Sequence, residues 1–149
     1  MQVVPPGTRA LRRGRVSIGG QIYHVNTATP GRRPVFADWA AGRCVVEALR
    51  AGEGVAGTRT LAWCLMPDHL HWLVQLGTDP LATVVGRMKG RSSRRAMSAG
   101  PLWQRGYYEH AIRAEEDLVQ VARYIIANPL RAGLVTRIGD WPLWDCVWL

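Results

Sequence analysis

Short runs of apolar residues, some alternating with polar ones, predict four β-strands. They cover residues 21–26, 58–66, 69–76 and 107–113. Between the second and third strands stands Pro67-Asp68, a pair typical of turns. These two strands are therefore predicted to form an antiparallel hairpin.

Three further segments carry apolar residues at helical spacing. The first spans residues 35–51 and precedes three closely spaced glycines. The second begins near Leu81. The third follows the acidic residues 115–117, which favour a helix N-terminus, and is predicted to end before Pro129, because the residue preceding a proline avoids helical geometry.

The order strand, helix, strand, strand, helix, strand predicts an α+β fold of the ferredoxin-like, split βαβ type. Its antiparallel sheet would be covered on one face by helices, and an added C-terminal helix would carry Tyr124. Residues 1–20 are rich in Arg, Gly and Pro and are interpreted as a flexible basic arm. Residues 21–149 are expected to form one domain, with the tryptophan-rich tail, residues 139–149, packing back onto it.

Composition narrows the class of protein. A chain of 149 residues with 48% hydrophobic and 20% charged residues can bury a core without disulfides. The sequence lacks a long apolar run and a secretory leader, and its three cysteines have no paired spacing, so we expect a cytoplasmic protein with reduced thiols and no membrane partner.

The net charge is +8, and all but one of the 19 cationic residues are arginine. Guanidinium groups bind phosphate through paired hydrogen bonds, which favours a nucleic acid partner. A genome rich in G and C would also raise the arginine content, so charge alone does not decide the function.

His69 and His71 are the most informative pair of residues. Side chains two apart on a strand share a face, so this spacing can present two imidazole nitrogens to one divalent metal ion. Leu70, Trp72 and Val74 would then point into the core on the other side. The alternative is a pair of surface histidines without a ligand.

Polar residues line one side of the third predicted helix. Gln120, Tyr124 and Asn128 are each four positions apart, beside an apolar stripe that includes Val121 and Ile125. Tyr124 could pack at the edge of the core or act as a nucleophile. Asn128 could cap the helix or bind a metal ion through its amide oxygen.

Two other groups are candidates. Five cations fall within nine residues, with no acid among them, and favour a DNA-backbone surface on the second helix: Arg87, Lys89, Arg91, Arg94 and Arg95. On the fourth strand, Glu109 and His110 could bind the metal or orient its ligands from behind, as could Gln120 from the helix. A structural hydrogen bond is the alternative role for Glu109 and His110.

Several blocks of the sequence resemble the REP-associated tyrosine transposases, relatives of the single-tyrosine transposases of insertion sequences. The blocks are MPDHLHWLVQL (66–76), LWQRGYYEHAIR (102–113) and YIIANPLRAGLV (124–135), in that order, together with QIYHVNTATPGRRPVF (21–36). The resemblance runs from Gly20 to the C-terminus, whereas the arginine-rich arm before it does not align. The family carries a His-hydrophobic-His (HUH) motif on a central strand and a nucleophilic tyrosine on a later helix.

The resemblance implies a role for each matching residue. Tyr124 would be the nucleophile, with Tyr107 and Tyr108 as weaker alternatives. His69, His71 and Asn128 would hold Mg²⁺ or Mn²⁺. The reaction would be metal-dependent cleavage and rejoining of single-stranded DNA beside REP-like hairpins, through a 5′-phosphotyrosine, by a monomer or a homodimer.

Two other functions fit parts of the pattern. A non-catalytic nucleic-acid-binding module would keep the fold and the arginines but show neither metal dependence nor a covalent adduct. A metal-dependent phosphoester hydrolase would use a water nucleophile, and its activity would survive the substitution Tyr124→Phe.

Overall fold

The computed structural model describes residues 19–113 and 117–149. The predicted basic arm lies outside the described residues except for Gly19 and Gly20, and so do Glu115 and Glu116 of the acidic run. Within the described residues, no helix combines the length and the apolar character needed to cross a bilayer.

Five strands form one antiparallel sheet in the order β4-β1-β3-β2-β5. They are β1 (Ile22–Ala28), β2 (Arg59–Leu65), β3 (His69–Gln75), β4 (Tyr108–Ala111) and β5 (Trp144–Cys146). Every neighbouring pair is antiparallel. The first four strands have the order and directions of the ferredoxin-like fold, so that prediction is confirmed.

The described residues also form four α-helices: α1 (Trp39–Gly52), α2 (Leu81–Ala96), α3 (Leu118–Ile126) and the single turn α4 (Asn128–Arg131). Short 3₁₀ turns lie at Pro30–Arg32, Val35–Ala37, Val55–Gly57 and Ile138–Asp140.

The first helix begins later than its sequence pattern suggests. Residues Val35–Ala37 form a 3₁₀ turn, and the extended backbone of Asp38 interrupts the segment there. The Asp38 carboxylate then accepts a hydrogen bond from the Ala40 backbone N–H at 3.0 Å and caps α1. The predicted start at residue 35 was therefore four residues too early.

The third helix matches its prediction at both ends. Asp117 caps it by accepting hydrogen bonds from the backbone N–H groups of Val119 and Gln120 at 2.9 and 3.4 Å. The helix ends at Ile126, and Pro129 stands in the first turn of α4, where its missing N–H costs no hydrogen bond.

The sheet has two unlike faces. Helices α1 and α2 pack on one face, which we call the two-helix face; its sheet residues include Val25, Leu70, Trp72 and Val74. Helix α3 packs on the other, through Ala122, Ile125 and Ile126 against Leu73 and β2. Because side chains alternate along a strand, this second face also carries His24, His69 and His71, and we call it the histidine face.

The tail packs back onto the body, as predicted, and it does so as a fifth strand that the sequence pattern does not indicate. β5 extends the sheet beyond β2 through the pairs Ala62–Cys146 and Cys64–Trp144. The Trp141 indole N–H donates to the Leu65 carbonyl at 3.1 Å and fixes the approach to this strand.

Candidate active site

Strand β3 sorts its residues as the sequence predicts. Leu70, Trp72 and Val74 are buried on the two-helix face. His69 and His71 point to the other face, with Leu73 beyond them in the α3 core. The spacing of two residues therefore does place both imidazoles side by side.

The two imidazoles meet through matching nitrogens. Nε2 of His69 lies 3.1 Å from Nε2 of His71, and the rings stand nearly perpendicular at 76°. In an octahedral site, adjacent ligands that each lie about 2.1 Å from the ion are separated by about 3 Å, so the pair fits a shared divalent ion. Without an ion, the same spacing is that of a hydrogen bond with one shared proton.

A third histidine, which the sequence analysis did not select, stands behind this pair. His24 of β1 is 3% exposed, and its Nε2 lies 3.0 Å from Nδ1 of His71. The sequence signal was weak, because strand alternation puts His24 on one of two faces but does not say which strand lies beside it.

Asp68 and Arg32 extend this chain of contacts on the side of His69 that faces away from His71. Nδ1 of His69 lies 2.7 Å from the Asp68 carboxylate, which also accepts a hydrogen bond from Nε of Arg32 at 3.0 Å. Burial alone would raise the pKa of Asp68, but the hydrogen bond from His69 and the charge of Arg32 outweigh it and lower that pKa. Asp68 therefore orients His69 and leaves its Nε2 to face His71.

Burial keeps the three imidazoles neutral at physiological pH. It lowers the pKa of His24 to about 4, with a further contribution from His110. It lowers the pKa of His71 to about 2, helped by the neighbouring histidines and by Arg131 and Arg32. The pKa of His69 is also lowered, mainly by burial. Neutral imidazoles have the lone pair that a metal ligand needs.

No single ion can be shared by all three histidines as they stand. His71 turns Nδ1 toward His24 and Nε2 toward His69, and the lone pairs of these two nitrogens point away from each other. In the described ranges 19–113 and 117–149, no group of three or more His, Cys, Asp or Glu side chains is arranged to hold a metal ion. A third ligand from the protein would thus have to be of another type, such as the amide of Asn128.

Tyr124 lies on α3 and is half exposed, with 48% of its surface accessible. The guanidinium carbon of Arg131 lies 3.8 Å from the centre of its ring, and Nη2 of Arg131 donates to the Tyr124 carbonyl at 2.7 Å. Among the described residues, none hydrogen-bonds to the Tyr124 hydroxyl. The phenol is therefore accessible to a substrate.

Asn128 stands one turn after the tyrosine. Its amide nitrogen donates to the Ile125 carbonyl at 2.9 Å, which leaves the amide oxygen as the end that can face a ligand. In the described part of the chain, no hydrogen bond or ring contact joins Tyr124 or Asn128 to the histidines. The structure thus places them over the same sheet face without bringing them into contact.

Arg131 is a residue that the sequence analysis missed. Besides stacking on Tyr124, its charge contributes to the lowered pKa of His71, so it acts electrostatically on the histidine side of α3. The sequence signal is its place seven residues after the tyrosine, which is two helical turns. That spacing became informative only once the structure showed that α4 follows α3 after the single residue Ala127.

The fourth strand divides its candidate residues between the two faces. His110 lies directly opposite His24 and Tyr108 opposite Asn26, both on the histidine face. Glu109 is paired with Val25 and is buried on the two-helix face, which is unfavourable for the first of its two alternative roles, at the metal site, and leaves the structural role open. Tyr107 is buried in that same core, which removes it as a nucleophile.

Gln120 is exposed on α3, and among the described residues no hydrogen bond links its side chain to the histidines. Its role in orienting the metal ligands stays a prediction.

The predicted DNA-binding cations lie on α2, across the sheet from the histidines, and they are not equivalent. Arg87 pairs with Asp79 at 2.9 Å, and the Lys89 ammonium donates to the carbonyls of Gln104 and Gly106 at 3.1 and 2.6 Å. Arg91 is partly buried. Arg94 and Arg95 are exposed at the end of the helix and are the two best placed to meet a phosphate backbone.

Comparison with known proteins identifies the class to which this fold and site belong. Residues 17–128 match the family described as "Transposase IS200 like". This match spans well over half of the chain. The protein therefore belongs to the IS200-like transposase family.

Two curated relatives carry a more specific description. The chain is 32% identical over 83 residues to the REP-associated tyrosine transposase of Escherichia coli K12, covering 54% of this chain and 50% of that protein. It is 33% identical over 98 residues to a Haemophilus influenzae protein assigned to the same group, covering 56% of each. The chain thus spans about half the length of the curated relatives it matches.

Solved structures agree on the fold. A REP-associated tyrosine transposase bound to a REP hairpin superposes with a TM-score of 0.70 at 24% identity, covering 87% of this chain and 79% of that one. A Deinococcus radiodurans protein described as a transposase gives a TM-score of 0.54 at 28% identity, covering 75% and 93%.

Proposed function

We propose that this protein is a metal-dependent DNA transposase that cuts and rejoins single-stranded DNA beside hairpins through a 5′-phosphotyrosine. The observation that carries the proposal is the pair of neutral imidazoles whose Nε2 atoms lie 3.1 Å apart on the sheet face beneath the tyrosine-bearing helix. Family membership supports transposition as the biological process.

His69 and His71 are the residues that would hold Mg²⁺ or Mn²⁺, with the amide oxygen of Asn128 as the candidate third ligand. Bound there, a divalent ion would withdraw charge from the phosphate that is to be cut. Asp68 keeps His69 oriented for this role through the 2.7 Å contact with its Nδ1. The remaining groups act on the nucleophile and on the DNA.

In this proposal the Tyr124 phenolic oxygen attacks phosphorus in line. A bond forms between that oxygen and phosphorus, and the bond from phosphorus to the 3′ oxygen breaks. The phenol loses its proton and the 3′ oxygen gains one, giving a 5′-phosphotyrosine and a free 3′-hydroxyl. Reversal by a 3′-hydroxyl joins strands without a nucleotide cofactor.

Arg131 holds the proposed nucleophile in place. Its guanidinium carbon lies 3.8 Å from the centre of the Tyr124 ring, and its Nη2 donates to the Tyr124 carbonyl at 2.7 Å. These two contacts restrict the positions that the phenol can take, and attack on phosphorus depends on that position. Since Tyr124 does not touch the histidines, the scissile phosphate would occupy the space between them.

The substrate proposed is single-stranded DNA next to a hairpin. The hairpin-bound structural relative supports this choice, and so does the net charge of +8. The exposed Arg94 and Arg95 would contact the DNA backbone. We place the protein in the cytoplasm, as a monomer or a homodimer.

The decisive test is to incubate the protein with labelled hairpin oligonucleotides and Mg²⁺ or Mn²⁺, followed by a denaturing gel. The wild-type chain should give a covalent protein–DNA band and a shortened strand. Tyr124→Phe should lose both while keeping DNA affinity. Tyr108→Phe is the matched control, because Tyr108 lies on the same sheet face and should be dispensable.

Other results would favour the rival functions. Cleavage by Tyr124→Phe without an adduct would indicate hydrolysis by water. An adduct that persists in Tyr124→Phe and disappears in Tyr108→Phe would move the nucleophile to β4. DNA binding with no cleavage under any ion would indicate a binding module.

A further inference from the structure

A buried histidine in the middle of an antiparallel sheet requires an explanation. His24 is 3% exposed, although the interior of β1 would be filled at lower cost by an apolar residue. Its Nε2 has a single close partner among the described residues, Nδ1 of His71 at 3.0 Å. Its Nδ1 is buried and has no hydrogen-bond partner in the described part of the chain.

The geometry excludes His24 as a ligand to an ion held between His69 and His71. That ion would face Nε2 of His71, whereas His24 faces Nδ1, whose lone pair points away from that of Nε2. His24 thus stands one step behind the ligand pair.

We infer that His24 is a positioning residue for the metal site: it accepts a hydrogen bond from Nδ1 of His71 and thereby fixes Nε2 of His71 as the ligand atom. This inference rests on the proposed function, because it presupposes an ion at His69 and His71. Metal-bound histidines generally donate their second ring nitrogen to such a partner, which sets both tautomer and orientation. For His69, the other proposed ligand, the Asp68 carboxylate is this partner of Nδ1.

The contacts further imply that ion binding reverses one hydrogen bond. Without an ion, Nε2 of His71 can donate to His69 and Nε2 of His24 can donate to Nδ1 of His71. With an ion, Nε2 of His71 must be unprotonated, so its proton stands on Nδ1 and points at His24. The His24 proton then stands on the unpartnered Nδ1.

This arrangement predicts a spectroscopic change. Long-range ¹⁵N–¹H correlation spectra of the wild-type chain should show His71 protonated at Nε2 without metal and at Nδ1 in saturating Mg²⁺. His24 should change from Nε2 to Nδ1 in the same titration. Retention of the proton on Nε2 of His71 in the Mg²⁺-saturated protein would overturn the inference.

Metal affinity provides a second, independent test. His24→Phe fills the same space without an acceptor and should weaken Mn²⁺ binding, measured by calorimetry, by about 10- to 100-fold. His24→Gln keeps an acceptor oxygen and should bind nearly as tightly as wild type.

The possible failures are distinguishable. A folded His24→Phe variant with wild-type Mn²⁺ affinity refutes the role of His24 and leaves the metal site intact. A wild-type chain that binds no Mn²⁺ refutes the metal site itself, and this inference with it. If His24→Phe does not fold, the spectra of the wild-type chain decide.

Discussion

The two faces of the same sheet are built on opposite principles. Under α1 and α2, the central strands present fully buried aliphatic residues such as Leu70 and Val74. On the other face, the same strands present His24 and His71, which are almost as buried but polar. Adjacent residues of β3 thus bury an apolar side chain on one face and a polar side chain on the other.

The two faces differ in what the burial of their side chains contributes to the stability of the fold. Burying apolar area stabilises the fold in proportion to the area removed from water. Burying an imidazole costs free energy unless its nitrogens find partners, and Nδ1 of His24 finds none among the described residues. We therefore expect substitutions on the two faces to separate folding from metal binding.

The largest effect is expected on the two-helix face. Leu70→Ala should lower the free energy of unfolding by about 2–5 kcal/mol, because it leaves a cavity in a closed core. Urea unfolding measures this, and Leu134→Ala is the matched control, since Leu134 is 47% exposed. Mn²⁺ affinity should be unchanged in folded Leu70→Ala. If it falls by tenfold or more, the faces are not independent.

The buried histidines of the histidine face should make the free energy of unfolding depend on pH. Unfolded histidines titrate near 6.5, whereas the folded pKa is about 4 for His24 and about 2 for His71. Between pH 6.5 and 4 the unfolded chain binds more protons than the folded chain, so stability decreases as pH falls. The loss should be roughly 1 kcal/mol per pH unit for each histidine.

Urea unfolding in EDTA at pH 7, 6 and 5 tests this expectation. His24→Phe should show a shallower pH dependence, because one of the histidines whose pKa is lowered by burial is gone. A wild-type stability that is constant from pH 7 to pH 5 would contradict the burial of neutral imidazoles on this face.

The sequence predicted the orientation of side chains along a strand better than the contacts between strands, for a physical reason. Alternation along a strand is local, so the orientation of His69 and His71 followed from their spacing. The contact of His24 with His71 depends on pairing between strands 47 positions apart, which no local pattern encodes.

Two other results show the same limit. In YYEHAI, either set of alternate residues mixes polar and apolar side chains, so the pattern left open whether Glu109 or His110 faces the histidines. β5 is a three-residue strand that exists because β2 offers it an edge, and its own sequence carries no strand signal.

A smaller effect is expected for the cations of α2, which should differ in their contribution to DNA binding. The double substitution Arg94→Ala, Arg95→Ala should weaken DNA binding and reduce the dependence of log affinity on log salt by about one unit for each phosphate that the protein no longer neutralises. Filter binding over a salt series measures both.

Lys89→Ala is the comparison, because the Lys89 ammonium donates hydrogen bonds to the loop carbonyls of Gln104 and Gly106. It should lower stability and leave the salt slope nearly unchanged; equal slopes for all the variants would remove α2 from the DNA surface.

The smallest expected effect is that of substituting Arg131. It tests whether the active site extends from the histidine face to the residues after α3. Removing an exposed cation from above an aromatic ring costs about 0.5–1 kcal/mol. Arg131→Gln should therefore slow single-turnover adduct formation by about two- to fivefold, with DNA affinity and Mn²⁺ affinity retained. Arg123→Gln is the matched control, since Arg123 is an exposed arginine next to Tyr124 on the same helix. If both substitutions slow the reaction equally, the effect belongs to net charge. If only Arg131→Gln does, the reactive surface includes the stacked guanidinium, and α3 with α4 belongs to the site as much as β3 does.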